Sequence, residues 1–362
     1  MSPIRRIGIL TAGGDCPGLN AVIRAVVKSA LRRNPPIQVL GIQDGFTGLV
    51  ENRTQSLEEG DVSGILVRGG TILGTSNRDN PFKYVSTPDA KPRDRSQDVL
   101  GNIKKHKLDG VIAVGGDGTL RCALEFERLG VNIIGVPKTI DNDLCGTDVT
   151  FGFDSALAVA TDAVDRLHST AESHHRVLIC EVMGRYAGWI ALHAGMAGGG
   201  DIILIPEIAY SIERICESIH RREKRGRSFS IIVVAEGAKP MGGKFVTQGH
   251  YEGADKRPRL GGVSHQIAEQ IEKRTGDEVR VVILGHLQRG GTPTAFDRWL
   301  ATQFGVRAVI LAEKGQWGRM VSLRGTHFSD VPIAEAVQQL RRVDPQGDSV
   351  EAARAVGTSF GD

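Results

Sequence analysis

Residues 111–150 read VIAVGGDGTLRCALEFERLGVNIIGVPKTIDNDLCGTDVT, and this stretch decides the fold. Two short apolar runs, Val111–Val114 and Ile133–Val136, each pass straight into a polar loop. The first loop is Gly115-Gly116-Asp117-Gly118-Thr119, and the second is Lys138-Thr139-Ile140-Asp141-Asn142-Asp143. Strands that are apolar throughout are buried on both faces, as in a parallel sheet covered by helices. In such sheets ligands bind at the carboxyl ends of the strands, where these two loops fall. The chemistry of the chain is therefore expected between them.

Outward from this stretch the pattern alternates strand and helix. Ile7–Leu10 ends in Thr11-Ala12-Gly13-Gly14-Asp15-Cys16-Pro17-Gly18. A helix follows, with Val22, Ile23, Val26, Val27, Ala30 and Leu31 at helical spacing, Pro17 in its first turn and Asp15 in its cap region. Further strands are expected at Ile37–Ile42, Val177–Met183, Ile202–Ile205, Ile231–Ala235 and Val281–Leu284. A strong helix is expected from Asp154 to about His168, and another near Val263–Ile271. The polar, Gly-rich segment Ala238–Leu260 reads as a surface excursion, and the polar stretch Val343–Asp362 as partly mobile. The fold class is α/β with mostly parallel sheets.

Composition narrows the function. The 362 residues suit about two domains and a large core. The net charge of +3, from 45 basic and 42 acidic residues, points to neither nucleic acid nor membrane. Five scattered cysteines without a CxxC pair fit free thiols in a reducing compartment rather than a disulfide framework or zinc site. No apolar run approaches the ~18 residues of a transmembrane span, and a cytoplasmic protein is expected.

Each loop asks for a particular chemistry. The glycines of Gly115–Thr119 let backbone N–H groups approach an anion, and the next helix offers its positive end. Asp117 in that turn suits a magnesium ion riding on phosphate oxygens. The alternative is a tight turn with a capping Asp and no ligand. In Thr139–Asp143 two carboxylates and an amide crowd together, which suits one Asp accepting the proton of an attacking hydroxyl. An Asx-rich turn is the plainer alternative. Arg176, Arg185, Arg280, His286 and Arg289 stand at strand ends, where Arg forks and a His suit a phosphorylated substrate. Glu236, after Ile231–Ala235, suits sugar hydroxyls.

These motifs have a known counterpart. LTAGGDCPGLN, GGDGT, PKTIDND, SHHR, EVMGRYAGW and GHLQRGG occur in order, and from Arg6 to about Gly315 the chain resembles the 6-phosphofructokinase family, in its mixed-substrate branch. The resemblance implies two doubly wound lobes with the active site between them, in a homodimer or homotetramer. Residues 1–152 plus 288–338 would form the donor lobe, and 153–287 plus 339–362 the fructose 6-phosphate lobe. It implies Asp141 as proton acceptor from the sugar 1-hydroxyl, with Thr139 and Asp143 in the same substrate loop. Arg185 joins Asp141 and Thr139 as a catalytic residue. Asp117 is the implied Mg2+ ligand, and Gly13 and Gly115, Gly116 and Gly118 line the phosphates of ATP. Met183, Gly184, Arg185, Glu236, His286 and Arg289 match fructose 6-phosphate contacts. Arg176 and Arg280 match arginines that reach the sugar phosphate from a neighbouring subunit.

Two departures bear on the donor. Relatives using pyrophosphate pair an Asp at position 118 with a Lys at 138, whereas typical bacterial ATP users have Gly at both. Here Gly118 stands with Lys138. A carboxylate at 118 would crowd and repel the α-phosphate of a nucleotide, so Gly118 favours ATP, with pyrophosphate the alternative. The Arg that bridges donor and substrate after Gly74 is shifted by one residue, to Arg78, so either Arg78 or Lys138 supplies that charge. Arg24, Lys28, Arg53, Arg225 and Arg227 align with the basic positions of a regulatory site, with His168 and Asp201 at altered positions. A solvated basic face accounts for them equally. NAD- and lipid-kinase-like proteins share GGDGT but lack TIDND followed by SHHR and MGR. A silent regulatory subunit would have lost Asp117 or Asp141.

Overall fold

The computed structural model describes residues 3–76, 80–87, 90–250 and 258–362. In chain order the strands are β1 (Arg6–Thr11), β2 (Gln38–Ile42), β3 (Thr54–Leu57), β4 (Gly110–Gly115), β5 (Ile133–Pro137), β6 (Val177–Val182), β7 (Ile202–Leu204), β8 (Ser230–Ala235), β9 (Thr247–His250), β10 (Pro258–Leu260), β11 (Val279–Ile283), β12 (Arg319–Arg324) and β13 (His327–Pro332). Seven of them form one sheet in the order β13-β12-β5-β4-β1-β2-β3, and four form a second in the order β11-β6-β8-β7. Strands β9 and β10 pair as a separate antiparallel ribbon within the polar Ala238–Leu260 segment.

The apolar strands lie where their composition puts them. β1, β4 and β5 pair in parallel with wholly buried residues along most of their length, and β6, β7, β8 and β11 are parallel throughout. The large sheet is mixed at both edges, because β3 and β13 run antiparallel to their neighbours. The chain leaves β1 for β2 on one side and returns to β4 on the other, so the β1/β4 boundary is a topological switch point. In the small sheet β6 lies between β8 and β11 in the same way. Ligands bind at the carboxyl ends of strands at such points.

Helices cover the sheets and join them. Helix Leu19–Leu31 begins two residues after Pro17, so Asp15 and Pro17 belong to the loop before it. Helix Phe153–His174 runs well past His168. Its start is tied to helix Ala295–Glu313 by the fully buried Asp297, which accepts from Ser155 N at 2.8 Å and Ser155 Oγ at 2.6 Å.

The C-terminal stretch differs from expectation. Helix Asp348–Ala355 forms, Val343, Val350, Ala353 and Phe360 are buried, and Ser359 bridges in parallel to Ile202 at the edge of the small sheet. Four well-spaced apolar side chains anchor a stretch whose average composition is polar. Among the described residues no helix is long and apolar enough to cross a membrane.

Candidate active site

The carboxyl edge of the large sheet carries three loops. After β1, Gly13 takes a left-handed conformation (φ 80°) that glycine adopts readily, and its N–H donates to Ser76 O at 2.9 Å while its carbonyl accepts from Thr75 Oγ1 at 2.6 Å. After β4, Gly116 caps helix Asp117–Arg128, so the helix's positive end opens onto the cleft. Asp117 lies in the first turn and accepts from Arg121 Nε at 2.8 and 3.0 Å. A Cβ placed on Gly118 meets no atom within 4 Å. Room at 118 is therefore not required by the protein's own packing.

After β5 comes the loop of Lys138–Asp143. Lys138 is only 3% exposed, and its Nζ donates to the Gly14 carbonyl, tying this loop to the one after β1. Burial holds its ammonium below the usual lysine range. Thr139 Oγ1 accepts from Asp141 N at 3.1 Å, and Thr150 Oγ1 donates to Thr139 O at 2.7 Å. Asn142 is left-handed (φ 51°), a conformation that Asn tolerates, and its Oδ1 accepts from Thr150 N at 3.0 Å. Loss of water pushes the Asp141 carboxyl up, while Arg289, Lys138 and Arg185 pull it back down. Asp143 rises to about 7, chiefly through burial and next through the charge of Asp141.

The small sheet faces this edge with cations. Met183, Gly184 and Arg185 follow β6, Glu236 follows β8, and the turn Gly285–Arg289 follows β11. Gln288, fully buried, accepts from Met183 N at 3.3 Å and so joins two of these loops. Arg289 crosses to the large sheet and donates to Asp15 O at 3.0 Å. It passes Gly14, where a Cβ would stand 2.7 Å from its Nη1. Burial raises Glu236 to about 7, and the charge of Asp141 adds to the effect. His286, in the same turn as Arg289, is exposed.

The cleft thus brings together Lys138, Asp141, Arg185, Glu236 and Arg289, with Gly13, Gly115, Gly116, Asp117, Gly118, Thr139 and Asp143 on the loops of one sheet edge and Met183, Gly184 and His286 on those of the other. It does not gather Arg176 and Arg280. These lie at the amino end of β6 and β11 and share Glu278, with Arg176 Nε at 2.6 Å from its Oε2. Arg78 lies outside the described residues. Of the basic positions aligned with a regulatory site, Lys28 pairs with Glu59 at 2.9 Å, and Arg53 pairs with Asp44 and with Glu51. Asp201 pairs with Arg222 at 2.6 Å, and His168 Nε2 contacts Gly198 O at 2.6 Å. Sequence reasoning missed Asn142, Thr150, Gln288 and Arg341 as holders of these loops; PKTIDND contains Asn142, GHLQRGG contains Gln288 and Thr150 closes the stretch 111–150, but nothing local marks Arg341.

An α/β fold with an anion cradle at one switch point, an enclosed carboxylate beside it and arginines opposite defines a phosphotransferase. The chain belongs to the phosphofructokinase family, whose model, described as Phosphofructokinase, matches residues 6–312. It is 54% identical over 363 residues to the ATP-dependent 6-phosphofructokinase of Chloroflexus aurantiacus, covering 99% of this chain and 98% of that one. It is 50% identical over 341 residues to the pyrophosphate–fructose 6-phosphate 1-phosphotransferase of Streptomyces coelicolor, covering 94% of this chain and 96% of that one. Among solved structures, phosphofructokinase from Saccharomyces cerevisiae matches with a TM-score of 0.79 and 32% identity, over 92% of this chain and 45% of that longer chain.

Proposed function

We propose that this chain is an ATP-dependent 6-phosphofructokinase of glycolysis, transferring the γ-phosphoryl group of ATP to the 1-hydroxyl of fructose 6-phosphate. The observation that carries this reading is the meeting of Asp141 with Lys138, Arg185 and Arg289 in an enclosed cleft between the two switch points. The sugar oxygen attacks the γ-phosphorus, the bond to the β–γ bridging oxygen breaks, and the hydroxyl proton passes to Asp141. Burial raises the proton affinity of Asp141 and the cations around it offset part of that rise, which suits a base. Arg185 and Arg289 neutralise charge on the acceptor side, and Lys138 on the donor side. Met183, Gly184, Glu236 and His286 contact the sugar, and Gly13, Gly115, Gly116 and Gly118 the donor phosphates.

Among the described residues no three His, Cys, Asp or Glu side chains converge as a metal cage. That fits Mg2+, which uses one or two carboxylates together with substrate phosphates and water. Asp117, in a helix's first turn beside the cradle, would hold it, and the ion would neutralise phosphate charge. The donor lobe is assigned to residues 1–152 plus 288–338 and the sugar lobe to 153–287 plus 339–362, which places every strand of the large sheet in the first and every strand of the small sheet in the second. Arg176 and Arg280 act on the sugar phosphate of a second copy, in a homodimer or homotetramer, because their own chain holds them away from its cleft. The protein is assigned to the cytoplasm.

Lys138, a buried cation against the glycine loop, favours pyrophosphate as a second reading. Purified enzyme assayed with fructose 6-phosphate and each donor in turn separates the two. Turnover with ATP is expected, and turnover with pyrophosphate alone would overturn the choice of donor.

A further inference from the structure

The loop carrying Asp141 and Asp143 has neither helix nor strand to hold it, and its own Thr139 and Thr150 contacts fix only part of it. Lys138 ties its start to Gly14, and its far side is held from the far end of the chain. Leu340 bridges in antiparallel fashion to Leu144. Arg341 N donates to Asp143 O at 2.8 Å, and Arg341 Nη1 to Asn142 O at 3.3 Å. One residue therefore clamps two successive carbonyls of the carboxylate loop.

Arg341 is itself fixed from the small-sheet side. Its guanidinium lies over the Trp189 ring, 4.4 Å from the centroid, and Trp189 Nε1 donates to Arg341 O at 3.1 Å. Two residues on, Val343 N donates to Glu207 Oε1 at 2.9 Å, and that oxygen also accepts from Gly188 N at 3.0 Å. Gly188 ends the loop that begins with Met183, Gly184 and Arg185, and Trp189 opens the helix after it. The strap 340–343 thus touches the loop bearing the base on one side and the loop bearing Arg185 on the other. Among the guanidinium's contacts are a carbonyl and an indole face; a planar fork suits both at once, and an ammonium does not.

We infer that Arg341 is a positioning residue that sets the distance between Asp141 and Arg185. It touches neither substrate, and its effect is on the geometry of the reacting groups. Misplacement by about 1 Å can lower a rate by about 100-fold. This inference rests on the proposed base, so the wild-type enzyme is measured first: failure with both donors would sink that reading, whereas an active wild type leaves the test of Arg341 intact.

In the full-length enzyme Arg341→Ala is expected to lower kcat about 10- to 100-fold with both KM values within about threefold. Added guanidinium ion should recover part of the loss. Arg341→Lys, which keeps most of the volume, is the second variant should the alanine form not fold, and about a tenfold lower kcat is expected of it. A folded variant with kcat within twofold of wild type overturns the inference. So does a loss confined to KM, or a lowered melting temperature with a kcat loss that guanidinium leaves untouched.

Discussion

The two ends of the small sheet both present arginines, in opposite circumstances. At the carboxyl end Arg185 and Arg289 converge with Glu236 on Asp141, in a site so enclosed that Glu236 rises to about 7. At the amino end Arg176 and Arg280 share Glu278, whose carboxyl the Arg176 hydrogen bond holds below its usual range. Six residues of β6 at ~3.3 Å each put about 20 Å between the two ends. One strand thus serves two clefts if a second copy docks on its amino end. On the proposed function, the carboxyl end would do chemistry in its own chain, and the amino end would add affinity in another.

The largest expected effect comes from removing what the carboxyl end is gathered around. Asp141→Asn should lower kcat about 10²- to 10⁴-fold with little change in either KM, read by a coupled assay. A near-normal rate would leave the carboxyl end without a purpose. The amino end should respond differently: Arg176→Met or Arg280→Met should raise the KM for fructose 6-phosphate about 10- to 100-fold with kcat within about threefold. At fructose 6-phosphate well below that raised KM, oligomers assembled from Asp141→Asn and Arg176→Met chains should regain activity, since one cleft in such a pair has both groups. No regain in verified mixed oligomers would break the comparison.

A smaller effect separates the two glutamates by pH. Glu236 has a raised folded-state pKa, so its contribution to stability is present below about 4.5 and is lost as pH rises through about 7. Glu278 has a lowered one, so its contribution is present above the ordinary glutamate value and is lost as pH falls. Substrate-free Glu236→Gln should therefore lose less melting temperature between pH 5 and 8 than wild type, by about 2–4 °C. Glu278→Gln, at an exposed pair, should shift melting by little, and only above pH 5. Identical pH profiles for the two variants would erase the distinction. The smallest effect is expected across the cleft: Gly118→Ala should leave the melting temperature within about 1 °C, since its Cβ meets nothing.

How much of this was legible follows from where the signal lies. β1, β4, β5, β6 and β8 announce themselves as apolar runs, and the polar residues directly after them name the cleft. β3, β12 and β13 went unread because they lie at or near the large sheet's edges, where TQSL, RMVSLR and HFSDVP mix polar and apolar residues without a clean period. The C-terminal stretch was misjudged as partly mobile because composition averages over 20 residues, while packing needs only Val343, Val350, Ala353 and Phe360. Arg341 had no local signal at all, for its partner Asn142 lies 199 residues away in the chain. Residue type alone grouped Arg176 and Arg280 with the other strand-end arginines, and only the family resemblance set them apart as reaching a neighbouring subunit, since residue type does not say at which end of a strand a side chain will work.

The open space above Gly118 bears on how such enzymes diversify. Glycine and aspartate codons differ by a single base, and a Cβ added at 118 meets no other atom within 4 Å. If position 118 sets the donor, one point mutation can move a lineage between two energy currencies with no compensating change in the core. Donor choice would then track the metabolism of the host more closely than it tracks descent.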